Sequence, residues 1–360
     1  MNVLFAPDWR QGVPYQSLLA DALVAVGVHV DFLSDYKRVF PLTRLLQQHP
    51  ADLLHLHWPE AYYPRKRDWW DGFRRARFVP DLTLATRHTP FVLTAHNLLE
   101  HNERQIFAHT NYAAAYRQAR LVFAHSAVAA AELTRVYGIS ETKIRVVPHG
   151  DLSVMMPPPV PQAQARALLG LPDGPLCLMF GAVEPYKGHE EVIAHWRQAQ
   201  PGASLVIAGK PRDAAYAATI HEAARNLPSV VLRLGWLADA NLALYLSAAD
   251  VALFNYRTIF TSGAASLARS WGLPLLIPAR LTTVDLAEPD PRVARFDRLD
   301  GDFTNRLATI LETKPDYAGA APWREQTAWS HIAKLTAAGY REVLGVESSA
   351  EKAGAITAWR

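Results

Sequence analysis

Short, largely apolar runs recur along this chain, each followed by a segment patterned as a helix, and no other feature narrows its possible folds so far. NVLFA (2–6) precedes an amphipathic stretch from Tyr15 to Val26, and HVDFL (29–33) and DLLHLHW (52–58) follow. FVLTAH (91–96) precedes a helical run from Glu103 to Arg117, and LVFAHS (121–126) leads into AVAAAELTRVYG, which Gly138 closes as a left-handed cap. KIRVVPHG (143–150) ends this first series. Strands that are apolar on both faces need cover on both faces, and strand–helix alternation supplies it in a parallel sheet wrapped by helices.

MMPPPVPQAQ (155–164) interrupts the pattern with four prolines between Pro157 and Pro161, an extended and semi-rigid stretch suited to a linker. The alternation restarts with LCLMFGA (176–182), SLVIAGK (204–210), VVLRLGW (230–236), DVALFNY (250–256) and PLLIPA (274–279). WREQTAWSHIAKLTAAGYREVL (323–344) reads as helix. At 360 residues the chain exceeds one ordinary core. The expected fold class is α/β: two Rossmann-like doubly wound parallel-sheet domains facing a cleft, at 1–153 and 166–322. A linker at 154–165 joins them, and 323–360 is a C-terminal helix able to pack back on the first domain.

Composition removes several classes of function. The single cysteine, Cys177, excludes an internal disulfide and a cysteine-based metal cluster, which suits a reducing cytoplasm. No basic region followed by a long apolar run opens the chain, and no apolar segment is long enough to span a bilayer. A formal charge of +3 gives no indication of a nucleic-acid partner. Its distribution is less neutral. PRKRDWWDGFRRARF (64–78) places Arg65, Lys66, Arg67, Arg74, Arg75 and Arg77 among Trp69, Trp70, Phe73 and Phe78. Such a stretch suits an anionic membrane surface, or equally a solvated helix whose aromatics face the core.

Open parallel sheets bind ligands at the carboxyl ends of their strands, so the residues after each apolar run carry the functional information. FGAVEPYKG ends a strand at Gly181 and carries Glu184, Tyr186 and Lys187 into a helix, where the helix dipole and an ammonium together attract a phosphate. FNYRTIFTSGAA offers Tyr256, Arg257 and the Ser262-Gly263 turn to a second anionic group. Neither is a G-x-G-x-x-G or Walker loop. In the first half the strand ends bear Asp8 and Arg10, His57 and Glu60, His96 and Asn97, Glu100 and His101, His125, and His149. Histidines with carboxylates suit a metal or acid–base chemistry, and no compact H-x-x-x-H set favours the metal. His55 and His57 lie two apart and share a strand face; His55, inside the run, reads as support and His57, at its end, as one wall of a site.

DLLHLHWPE, TAHNLLEHN, VPHGD, FGAVEPYKG and YRTIFTSGAASLARSWGLPLLIP resemble, in that order and spacing, bacterial GT-B glycosyltransferases. The nearest likeness is to the GDP-mannose:glycolipid β-mannosyltransferases of xanthan-type exopolysaccharide assembly, and a looser one is to the large retaining GT-B group. The resemblance implies a nucleotide-sugar donor in the second domain. Lys187 and the Ser262-Gly263 turn would hold its pyrophosphate, with Gly181, Glu184, Tyr186, Tyr256 and Arg257 around them, and the base would sit near Gly209 and the Gly235-Trp236 loop. It further implies an acceptor, a polyprenyl-diphosphate-linked or other glycolipid, entering the first domain by Asp8, Arg10, Trp58, Asn97 and His149. The protein would then be peripheral at the inner face of the membrane, contacting it through 64–78, with no metal or other cofactor.

Two departures from the retaining group bear on mechanism. Ala182 stands where that group carries an arginine, and no glutamate lies between Asn255 and Gly272, where it carries a Glu-x7-Glu pair. Inversion is therefore expected, a single displacement that needs one base for the acceptor hydroxyl. His57, Glu60, His96 and Glu100 are the candidates, with Asp8 behind them. The alternatives are a sugar-nucleotide epimerase or hydrolase on the same fold, and a binding scaffold without catalysis.

Overall fold

A computed structural model describes residues 1–33, 39–62, 71–98, 106–257, 260–279 and 290–346. The chain divides into two compact units, Met1–Gly150 with Ala328–Arg360, and Asp151–Thr327. Each is built on one all-parallel, six-stranded sheet.

Unit 1 contains β1 (Asn2–Ala6), β2 (His29–Phe32), β3 (Leu53–Leu56), β4 (Phe91–Thr94), β5 (Leu121–Ala124) and β6 (Ile144–Val146), in the order β2-β1-β3-β4-β5-β6. Every residue of β3, β4 and β5 is buried, as helices on both faces require, whereas the edge strand β2 alternates between exposed and half-buried. The register pairs Ala6 with Leu56, Leu56 with Leu93, Thr94 with Phe123, and Ala124 with Val146. Neighbouring strands thus end level, and the residues just beyond them form one row. The helix Ala127–Tyr137 starts where Ser126 Oγ accepts from Ala129 N–H and stops at Gly138 in the left-handed conformation, as its sequence indicates.

Unit 2 contains β7 (Leu176–Phe180), β8 (Ser204–Gly209), β9 (Val230–Leu234), β10 (Val251–Leu253), β11 (Leu275–Pro278) and β12 (Val293–Phe296), in the order β12-β11-β10-β7-β8-β9. Alternate residues of β7 serve two cores: Leu176, Leu178 and Phe180 pack on one face, Cys177 and Met179 on the other. The proline stretch runs into the helix Gln162–Leu169, whose buried Arg166 pairs with Asp250 at 2.8 Å. Asp250 also accepts from Leu176 N–H at 2.8 Å, so the pair fixes the start of β7.

The single helix read at 323–344 is two. Ala321–Gln326 ends where Thr327 turns both its N–H and its hydroxyl back to Trp323 O, at 3.0 and 2.8 Å. Ala328 is extended, with ψ 133°, and the chain leaves unit 2 there. Trp329–Leu344 then packs on the helix Pro14–Val24 and on β5 of unit 1.

Of the basic aromatic stretch, 63–70 lies outside the described residues. The remainder opens the helix Asp71–Ala85, in which Arg77 and Phe78 are buried and Phe73 is exposed. Among the described residues no helix is long and apolar enough to cross a membrane.

Candidate functional site

In unit 2 the strand order reverses between β7 and β10, and such a switch point opens a crevice at the carboxyl ends. Lys187 closes the loop after β7 and folds inward. Its Nζ lies 3.5 Å from Phe180 O and 5.5 Å from the centre of the Tyr256 ring. The side chain is only 7% exposed, and burial pushes its ammonium down to about 8 against the opposing pull of Glu184. Three ammonium donors with one long carbonyl contact are poorly satisfied, so this cation suits an incoming anion. Glu184 is half-buried, and that burial raises its carboxyl, with Arg212 and Lys187 pulling the other way.

The loops around Lys187 are tied together. Arg257 N–H donates to Tyr186 O at 2.7 Å, and Asn255 Nδ2 donates to Gly188 O at 3.1 Å. Gly188 has φ 66°, and a Cβ there would lie 2.5 Å from Asn255 Nδ2, so glycine is required at this helix start. Arg257 Nε donates to Glu191 Oε1 at 2.8 Å, which engages its charge in an exposed ion pair. On the other side Gly181 N–H donates to Ala208 O and Gly235 N–H to Gly209 O. A Cβ on Gly209 would come within 1.8 Å of Gly181 O, so only glycine lets the β7 and β8 loops lie this close. Trp236, next in line, is 80% exposed.

Ser262 caps the helix Gly263–Ser270: its Oγ accepts from Ala265 N–H and donates to Tyr256 OH at 3.4 Å. Ser266 N–H bonds to Ser262 O, which leaves the first-turn N–H groups of Gly263 and Ala264 outside the helix's own bonding. A buried ammonium and a helix N-terminus flank Tyr256, and together they form an anion site suited to a diphosphate.

In unit 1 the row beyond the strand ends is a line of histidines. His57 follows β3, His96 lies two past β4, His125 follows β5, and Val147 follows β6. His57 Nδ1 lies 3.1 Å from His96 Nε2, His96 Nδ1 lies 3.4 Å from His125 Nε2, and His125 Nδ1 donates to Val147 O at 2.9 Å. Burial drives the basicity of His57 and His96 well down and that of His125 to about 3, and the neighbouring imidazoles add to the effect, so the rings are neutral. His57 Nε2 is buried with no hydrogen-bond partner among the described residues.

Other rings fix this line in place. His55 stacks on His57 at 4.1 Å, with Nδ1 at 2.6 Å from Tyr340 OH and Nε2 at 2.7 Å from Thr94 Oγ1. Tyr15 meets His96 edge-on at 4.9 Å and His125 at 5.6 Å. Trp58 stacks on His96 at 4.3 Å, and Trp9 stacks on Trp58 at 5.1 Å.

Of the proposed bases, the fold thus joins His57 to His96. Glu60 stands apart on the turn Pro59–Tyr62, accepting from Tyr112 OH at 2.6 Å, and Glu100 lies outside the described residues. Asp8 is gripped by Arg10 through two bonds of 2.9 Å, which hold its carboxyl below the usual range, and Arg10 lies over the Phe32 ring at 3.8 Å. Asn97 O accepts from Tyr116 OH, and His149 Nδ1 donates to Gly150 O. Among the described residues no group of three or more histidines, cysteines or carboxylates is placed to hold a metal ion. Sequence reading missed Trp9, Tyr15, Thr94 and Tyr340. The first three resemble ordinary core positions, and Tyr340 stands 285 residues from its partner His55.

Residues 3–151 match the family described as Glycosyltransferase Family 4. Over 311 residues, 83% of this chain and 82% of the relative, the sequence is 26% identical to a GDP-mannose:glycolipid 4-beta-D-mannosyltransferase of Xanthomonas campestris pv. campestris. The fold is similar to that of sucrose-phosphate synthase from Thermosynechococcus elongatus, with a TM-score of 0.72, 19% identity, and 96% and 99% of the two chains covered. It is also similar to Anabaena Alr3699/HepE in complex with UDP-glucose, with a TM-score of 0.69, 15% identity, and 95% and 100% covered.

Proposed function

We propose that this chain, which is a glycosyltransferase of the GT-B fold acting on nucleotide sugars, extends a lipid-linked oligosaccharide in exopolysaccharide assembly. The donor is GDP-mannose or a UDP-sugar, and the transfer inverts the anomeric carbon. The observation that carries the donor half is Lys187, a buried cation at the switch point of unit 2 beside the N-terminus of Gly263–Ser270. As the acceptor oxygen bonds to the sugar's C1, the bond from C1 to the diphosphate breaks and its electron pair leaves on the phosphate. The charge that grows there is met by the Lys187 ammonium and by the first-turn N–H groups of Gly263 and Ala264, which lie outside the helix's own bonding. Gly181, Glu184, Tyr186, Tyr256, Arg257 and Ser262 frame this pocket, and the nucleobase lies by Gly209 and the exposed Trp236.

The acceptor half rests on unit 1. Its strand ends carry flat rings, Trp9 and Trp58, of the kind that stack on sugars, with Asp8, Arg10, Asn97 and His149 as polar contacts. A glycolipid acceptor and a position at the inner face of the membrane are supported by the relative named above and by the basic aromatic sequence at 64–78, and among the described residues no helix is long and apolar enough to cross a membrane. Inversion is supported by the missing glutamate between Asn255 and Gly272 and by the beta linkage in the relative's name. No metal ion is needed on this reading, since the cation and the helix end do its work.

The test is product analysis with GDP-mannose and UDP-glucose, each with and without a short polyprenyl-diphosphate oligosaccharide. A β-linked sugar on the lipid supports the proposal. An α-linked product refutes inversion, free sugar irrespective of acceptor identifies a hydrolase, and nucleotide binding with no turnover identifies a scaffold.

A further inference from the structure

Resting on that reading, we propose that His57 Nε2 takes the proton from the acceptor hydroxyl, and that His96 and His125 are positioning residues that hold it in the required tautomer. A carbonyl oxygen only accepts, so the 2.9 Å contact to Val147 O places a proton on His125 Nδ1. In a neutral imidazole the other nitrogen is then an acceptor, and His125 Nε2 receives from His96 Nδ1 at 3.4 Å. The same step puts His96 Nε2 in the accepting role toward His57 Nδ1 at 3.1 Å. His57 Nε2 is left as a bare lone pair. One backbone carbonyl at the edge of the sheet therefore sets the chemistry three strands away.

The condition for this logic is that each ring be neutral, and burial among other rings meets it. His55 does not compete for His57, because Tyr340 and Thr94 engage both of its nitrogens. Buried acceptors without a donor are uncommon in folded proteins, and such an atom at the carboxyl end of a switch-point strand fits a ligand hydroxyl. In the reaction, the hydroxyl proton passes to His57 Nε2 as its oxygen attacks C1 and the diphosphate departs with the electron pair of the broken bond. The imidazolium so formed keeps its Nδ1–H on His96 Nε2, which disperses the charge along the row.

Two experiments test this. Nitrogen-15 histidine NMR of the unliganded wild-type protein should show His57, His96 and His125 all protonated on Nδ1 and bare on Nε2. A His57 ring protonated on Nε2 overturns the proposal without any variant being made. In transfer kinetics, His57→Gln should lower kcat by about 10³-fold with nucleotide affinity unchanged. His125→Leu frees His96 to reverse its tautomer and should lower kcat by about 10- to 100-fold at constant donor KM. His125→Gln, whose side-chain oxygen can still accept from His96, should recover most of that loss. Equal rates for the two His125 variants would make its role merely structural, and full activity in His57→Gln would remove the base. Should the wild type itself transfer no sugar, the functional reading fails instead, and the tautomer result stands separately.

Discussion

Lys187→Met keeps the length of the side chain and removes its charge, and the structure assigns that change two effects of opposite sign. The ammonium is buried, and its proton affinity falls from 10.5 in the unfolded chain to about 8 in the folded one. That difference corresponds to about 3 kcal/mol of folding free energy withheld at neutral pH. The unfolded chain binds the proton more tightly, so wild-type stability is depressed in full below about 8, recovers as pH rises, and has lost the penalty above 10.5. The variant carries no such penalty and should melt higher at pH 7, by an amount that vanishes toward pH 10.5. Nucleotide binding should move the other way. An anion pairs with the buried cation, and removing that partner costs about 3 kcal/mol, or roughly 100-fold in affinity for GDP or UDP. Wild-type affinity should itself fall about tenfold per unit as pH rises beyond about 8, because binding then requires uptake of a proton. Calorimetric titration and thermal melts of both proteins from pH 6 to 10 read all three effects. A variant that melts lower than wild type at pH 7, or binds the diphosphate equally well, would refute the assignment of Lys187 as a buried cation awaiting its anion.

Gly209→Ala should destabilise unit 2 by about 2–4 kcal/mol, since the added carbon meets a main-chain oxygen that cannot swing aside, and denaturant unfolding measures it. Trp236→Ala removes an exposed ring from the proposed nucleobase side and should weaken GDP or UDP about tenfold while leaving inorganic diphosphate binding unchanged, as equilibrium titration would show. Tyr340→Phe leaves His55 Nδ1 without its 2.6 Å partner and should cost about 1–3 kcal/mol, seen as earlier melting in hydrogen exchange of β3 and β4.

How far the sequence shows this molecule depends on the kind of interaction involved. β7 is legible in LCLMF because a strand buried on both faces has no polar choice, and its five residues divide between two cores. β12 is not, because an edge strand with Arg295 in its middle carries a mixed pattern and pairs on one side with β11 alone. The periodicity at 323–344 runs through Thr327 without a break, and the helix stops there because the chain crosses between units, which no local pattern encodes. The positions of His57, His96 and His125 are visible as strand ends, but their bonding to one another follows from parallel register, which sets those ends level. Lys187 shows itself by its place before a helix; that it is buried depends on Tyr256 and on loops joined across the sheet.

The return of the chain at Ala328 has a consequence for how the protein is made. On a ribosome the whole of unit 2 emerges before Trp329–Leu344, although that helix belongs to unit 1, whose sheet was synthesised first. Until it arrives, the β5 surface it covers stays uncovered, His55 has no Tyr340, and Tyr15 has no Trp329 against it at 5.3 Å. The first unit to be translated is therefore the last to be completed, and closing it requires contacts of very high sequence separation, the slowest kind to form. A stop codon between Thr327 and Tyr340 would spare every residue of the proposed donor pocket and still leave the histidine row unsupported.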